Sequence, residues 1–78
     1  MSLRPLSRRW TVLNYAVSDP GEWTCRTIAN DLGDSFHAVT EAMISLAQKG
    51  FIVKGKKIGR SRTLIPTPTG VEALYRVI

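Results

Sequence analysis

The chain has 78 residues, about half of the roughly 150 that a domain averages, so one domain is expected. Hydrophobic residues make up 44% and charged residues 22%, the composition of a folded chain and not of a disordered one. A single Cys (Cys25) and a single His (His37) exclude an internal disulfide and a structural zinc site, and the size excludes an enzyme built on a large α/β core.

The first periodic segment runs over residues 7–18. Ser7 is its expected cap, and Leu6, Trp10, Leu13 and Val17 recur at +4, +3, +4 on one face. Asp19-Pro20-Gly21 stops it. A short second helix is expected over 25–32, capped by Thr24, with Ile28, Ala29 and Leu32 on one face and Gly33 in the left-handed position after it. Trp23 precedes that cap where a hydrophobic staple would sit. The third helix, 36–49, starts at Asp34 or Ser35 and closes at Gly50, with Val39, Met43, Leu46 and Ala47 inward. Only Gly33-Asp34-Ser35 separates it from the second, which is helix-turn-helix spacing.

The period then changes. Phe51-Ile52-Val53 and Thr63-Leu64-Ile65 have strand preference and flank a Gly-punctuated basic stretch, predicting an antiparallel hairpin over 51–65. Thr67 and Pro68 open a last helix over 68–77, with Val71, Leu74, Tyr75 and Ile78 on its apolar side. The fold class expected is therefore α+β: three helices, a two-stranded hairpin and a C-terminal helix.

Charge is distributed unevenly along this order. Residues 1–41 hold four Arg against five acids, whereas residues 42–78 hold seven bases against Glu72 alone. Five of those bases, Lys54, Lys56, Lys57, Arg60 and Arg62, fall within nine residues of the hairpin. A block so one-sided attracts polyanions, because each neutralised phosphate releases condensed counterions. Alone, it would equally serve as a solvated basic loop.

The residues in this order resemble the winged helix-turn-helix of bacterial and archaeal DNA-binding proteins, over nearly the whole chain. Thr24, Ile28, Ala29, Leu32 and Gly33 match a T-x-x-x-I-A-x-x-L-G second helix. Residues 35–52 are similar, without a gap, to the recognition helix of the LexA DNA-binding domain, with Met43, Leu46, Ala47, Lys49, Gly50 and Ile52 in its L-x-x-L-A-x-K-G-x-I pattern. Residues 66–74 resemble the L-T-x-x-G-x-x-L of MarR-type regulators through Thr67, Gly70 and Leu74. The resemblance covers neither LexA's protease half nor the long dimerising arms of MarR proteins, so neither autocleavage nor that dimer is expected from it, and Arg60-Ser61-Arg62 only loosely matches the MarR wing tip. Z-form DNA readers carry an Asn and a Tyr where Thr40 and Ile44 stand here, so Z-DNA is not expected.

The resemblance implies double-stranded DNA as partner, with the third helix in the major groove. By analogy with LexA, Ser35, His37, Ala38, Thr40 and Glu41 approach DNA, with Ser45 on the same outward face. Thr40 would meet a base edge, Ala38 a thymine methyl and Glu41 a cytosine amine, while Ser35 would either join them or cap the helix. Lys54, Lys56, Lys57, Arg60 and Arg62 would grip phosphates or the minor groove. Arg8, Arg9 and Arg26 stand near helix starts, where a cation gains nothing from the dipole, so either phosphate contact or chance placement accounts for them. Trp10, Trp23, Phe36 and Phe51 read as packing residues and not as base-stacking platforms.

A core this small supplies only a few kcal/mol, so self-association is the expected reinforcement. A homodimer through the first and last helices is expected, using Leu3, Leu6, Leu74, Tyr75 and Ile78. No cofactor, metal or catalytic set is expected, because the lone His and Cys lack a third partner and the carboxylates do not cluster. No apolar run approaches the ~18 residues of a membrane span and Met1-Ser2-Leu3-Arg4-Pro5 lacks a signal-peptide core, which predicts a cytoplasmic, nucleoid-associated protein. The function expected is a small dimeric transcriptional regulator, a repressor, acting by occupancy or through partners. The alternatives are a viral or plasmid replication or packaging factor of the same fold, and a winged helix used as a protein–protein module.

Overall fold

The computed structural model describes residues 7–77. The elements are α1 (Arg8–Ser18), α2 (Cys25–Leu32), α3 (Phe36–Gln48), β1 (Ile52–Ile58), β2 (Ser61–Pro66) and α4 (Pro68–Val77). Each of the first three helices starts at a hydroxyl cap that accepts an otherwise orphaned N–H. Ser7 accepts from Trp10 N–H, Ser35 from Ala38 N–H, and Thr24 exchanges bonds with Thr27 in a capping box. Gly33 ends α2 at φ 70°, a left-handed conformation that costs other residues about a kcal/mol or more, and its N–H bonds to Ala29 O.

The core is Val12, Leu13 and Ala16 from α1, Cys25, Ile28 and Ala29 from α2, Val39, Ala42 and Leu46 from α3, then Ile52, Leu64 and Leu74. Two faces are rotated from the expected ones. On α1 the buried stripe includes Val12 and Ala16, while Trp10 and Val17 are only partly buried. The reason is that α1 packs against α3, β2 and α4 together, a broader contact than one stripe supplies. On α3 the buried face includes Ala42, with Met43 at its margin, because α1 and α2 press on it from two sides. Leu32, expected to share the inner face of α2, is 38% exposed. Leu6 of the α1 stripe lies outside the described residues.

Cys25 is buried and free. Burial pushes its thiol above the ordinary range, outweighing the lowering effects of the Thr40 hydroxyl and the Lys54 charge. The neutral form is the one the fold accommodates, so its contribution to stability is full below the ordinary thiol pKa and declines as pH rises above it.

β1 and β2 form an antiparallel hairpin in which Ile52 faces Pro66, Val53 faces Ile65 and Ile58 faces Ser61. Between the Lys54–Leu64 and Lys57–Arg62 pairs, Gly55 and Lys56 oppose Thr63 alone, a bulge that twists the hairpin. A third short segment extends the sheet. Thr24 bridges Thr63, Leu64 N–H donates to Trp23 O at 2.9 Å, and Gly21 N–H donates to Leu64 O at 3.1 Å. The loop after α1 is thus paired to β2, which local periodicity did not signal.

The hairpin returns to the helices through Thr67. Its N–H donates to Phe51 O at 3.0 Å, its hydroxyl donates to Gly50 O at 2.6 Å and accepts from Gly70 N–H at 3.0 Å. Gly70 lies so close to the chain at Phe51 that a Cβ there would stand 2.0 Å from Phe51 O. The glycine of the L-T-x-x-G-x-x-L resemblance is therefore a packing requirement.

Two measurements check these readings. Gly70→Ala is expected to cost at least the roughly 1–3 kcal/mol of an overpacked site, read as a lower urea midpoint with an unchanged slope. Cys25 is expected to resist alkylation by iodoacetamide at neutral pH in the folded protein and to react fully in concentrated urea. Rapid labelling of the native chain by mass spectrometry would contradict the burial described.

Candidate nucleic-acid interface

The outward face of α3 is set by its packing. With Val39, Ala42 and Leu46 inward, the opposite side presents His37, Glu41, Ile44 and Gln48 to solvent. His37 Nε2 stands 3.0 Å from Glu41 Oε1, one turn apart, so the two polar groups form a local pair on an exposed surface. Ile44, 45% exposed, gives this polar stripe an apolar element. Gln48 extends the same face and was not among the expected contacts, although its +7 spacing from Glu41 places it there.

The other expected residues of α3 divide. Ser35 is the cap: its hydroxyl accepts from Ala38 N–H at 3.0 Å, and its own N–H donates to Asp34 Oδ1 at 2.8 Å. Ala38 is half-buried on the flank toward α1. Thr40 departs from expectation. Its Oγ1 is shut off from solvent beside the Cys25 thiol, without a well-formed hydrogen bond, so it does not present a hydroxyl to a groove. The cause is that α2 covers this side of α3. Ser45 also departs. It is half-buried, with its hydroxyl 3.4 Å from the Arg9 guanidinium and 3.3 Å from Lys49 Nζ, because it turns toward the start of α1.

Arginines surround α3. Arg8 Nε stands 2.6 Å from Asp34 Oδ2, and this bond, with the Ser35 N–H, holds the Asp34 carboxyl below the usual range. Arg8 is therefore neutralised. The Arg26 guanidinium lies 4.9 Å from the centre of the Phe36 ring, a cation–π arrangement across the helix-turn-helix. Phe36 is 43% exposed and serves as a platform for Arg26, a correction to its reading as packing. Residues 26 and 36 lie on different helices, so no local pattern announces the pair.

All five wing cations, Lys54, Lys56, Lys57, Arg60 and Arg62, are exposed, and none forms an ion pair among the described residues. Arg60 sits in the two-residue loop between Ile58 and Ser61, while Arg62 reaches to 3.4 Å from Gly55 O. Lys57 faces Arg62 directly across the strands, an arrangement that costs stability when no anion is near. By contrast, an open depression lined by Asp19, Glu22, Trp23 and Thr27 carries two carboxylates and suits a polyanion badly. Among the described residues no three His, Cys, Asp or Glu side chains come together to hold a metal. No helix among them is long and apolar enough to cross a membrane.

Of the residues expected at a last-helix dimer surface, Leu74 is 2% exposed and belongs to the core, whereas Tyr75 is 62% exposed. Leu74 is consumed by α4 docking on α1 and β2, so it offers no surface. Leu3, Leu6 and Ile78 lie outside the described residues.

No family model matches the chain, and no curated protein sequence does. Solved structures do. The chain is similar to the transcriptional regulator PcaV of Streptomyces coelicolor with a TM-score of 0.81 and 27% identity, covering 91% of this chain and 53% of that one. A MarR-family transcriptional regulator of Rhodococcus sp. RHA1 gives 0.81 at 18% identity, covering 90% and 50%. MepR, a transcription regulator of the Staphylococcus aureus multidrug efflux pump MepA, gives 0.78 at 19% identity, covering 91% and 53%. The chain thus spans about half the length of the proteins it matches. It has the winged helix-turn-helix fold, in the form that MarR-family transcriptional regulators carry.

Proposed function

We propose that this chain binds double-stranded DNA and regulates transcription, acting as a dimeric repressor by occupying its site. The observation that carries the reading is an exposed α3 face followed by a wing of five exposed cations that form no ion pair among the described residues, in a fold shared with transcriptional regulators. The groove admits one α-helix, and α3, which leads directly into the wing, exposes His37, Glu41, Ile44 and Gln48 along one face. His37, Ala38 and Glu41 would meet base edges, with Glu41 accepting from a cytosine amine and Ala38 touching a thymine methyl. Ser35 would act through the helix start, where free N–H groups favour a phosphate. Thr40 and Ser45 would support this face from its flanks.

The wing and Arg26 would supply the sequence-independent part of the affinity through phosphates. The like-charged Lys57–Arg62 pair fits this role, since a bound phosphate turns its repulsion into attraction. A homodimer through α1 and the exposed Tyr75 side of α4 would place two α3 helices on a palindromic site, with half-sites about one helical turn apart. Such a regulator would work in the cytoplasm, on the nucleoid.

The test is fluorescence anisotropy with random-sequence duplex DNA at several salt concentrations. A slope of log K against log salt of about −4 or steeper is expected, since each phosphate contact adds about 0.9. Changing Lys56, Lys57, Arg60 and Arg62 to Ala should remove most of it. Absence of binding even at low salt would overturn the proposal and point to a protein partner for the wing.

A further inference from the structure

We propose that Arg9 and Arg26 grip the phosphates on the two edges of the groove that α3 enters, and that Phe36 is the positioning residue for Arg26. This rests on the DNA-binding reading, in which Arg26 already meets a phosphate, and deepens it by setting Arg9 and Arg26 on opposite edges of the groove and giving Phe36 a role. The geometry comes from α3 itself. Arg26 lies against Phe36 and Arg9 against Ser45. Phe36 and Ser45 are nine residues apart, about 180° around a helix of 3.6 residues per turn, and about 13 Å along its axis. Each falls on one flank of the outward stripe formed by His37, Glu41, Ile44 and Gln48. A helix some 10–12 Å across fills a groove about 12 Å wide, so cations on its two flanks stand at the two phosphate ridges.

Their charges are free for this purpose. Among the described residues the ion pairs are Arg8–Asp34, His37–Glu41 and Arg76–Glu72, and neither Arg9 nor Arg26 takes part. The contact with the Phe36 ring steadies the Arg26 guanidinium without using its N–H donors on a carboxylate, so they can serve a phosphate. Arg9 is half-buried at the α1–α3 junction, so its stem is already ordered and less freedom is lost on binding. Arg8, its neighbour, is spent on Asp34 and is not part of the grip.

The experiment uses the full chain, a fluorescein-labelled random duplex of about 20 base pairs and a salt series; the steepness of log K against log salt counts phosphates. Arg9→Ala and Arg26→Ala are each expected to weaken binding about tenfold and to make the slope shallower by about 0.9, and the double variant by about 1.8. Arg76→Ala, which removes the same charge from α4, should change the slope little. Phe36→Leu should weaken binding severalfold when Arg26 is present and not at all in the Arg26→Ala background, while Phe36→Tyr restores it. Thermal melts by circular dichroism confirm that each variant is folded; if Phe36→Leu is not, Phe36→Tyr and the two arginine variants decide. Arginine variants that behave like Arg76→Ala, in a protein whose wing variant still loses binding, would overturn the grip and leave DNA binding standing. A wild-type chain that does not bind at low salt would overturn both.

Discussion

Leu64 is the residue through which the wing is attached to the helices. Its side chain is in the core, its N–H donates to Trp23 O, and its carbonyl accepts from Gly21 N–H. A strand residue bonded on one edge to the loop after α1 and paired on the other with Lys54 leaves the hairpin one orientation relative to α1 and α2. Thr67 and Gly70 hold the other end of the same strand against Gly50 and Phe51, the exit from α3. The basic wing is therefore carried by a frame jointed to the loop that leads into α2 and to the exit from α3. Without those joints, five cations on a two-stranded ribbon would be a charged, marginally stable loop.

The surface that results separates two kinds of chemistry. The outward stripe of α3 pairs His37 with Glu41 and adds Ile44 and Gln48, a combination with little attraction for a polyanion of its own. The cations lie beside it, on the wing and on the flanks of α3. In the proposed function this is a division between contacts that position and contacts that specify. It also accounts for the lack of acids between Glu41 and Glu72, where a carboxylate would neutralise the wing within a Debye length.

Local signals proved reliable wherever the controlling interaction spans only a few residues. Ser7, Thr24 and Ser35 cap the helices they precede, and Gly33 takes the left-handed turn, because each acts on backbone groups three or four positions away. The Lys54–Arg62 block lies on a hairpin for the same reason: turn chemistry and strand preference are short-range. What was not legible depends on contacts between elements distant in sequence. Thr40 and Ser45 both read as outward on an isolated helix. The first is covered by α2 and the second turned toward α1.

By itself the sequence determined the order and caps of the elements, the helix-turn-helix spacing, the segregation of charge and the resemblance to a winged helix. These are properties of neighbouring residues, and the backbone answers to them before any long-range contact forms. Only the tertiary structure decided which face of α3 is free, that Leu74 belongs to the core, that Gly70 is there to let a helix touch a strand end, and that Arg26 rests on Phe36. Each of those facts is a contact between side chains or backbone brought together by packing, and a helical period cannot say which neighbour will cover a given face.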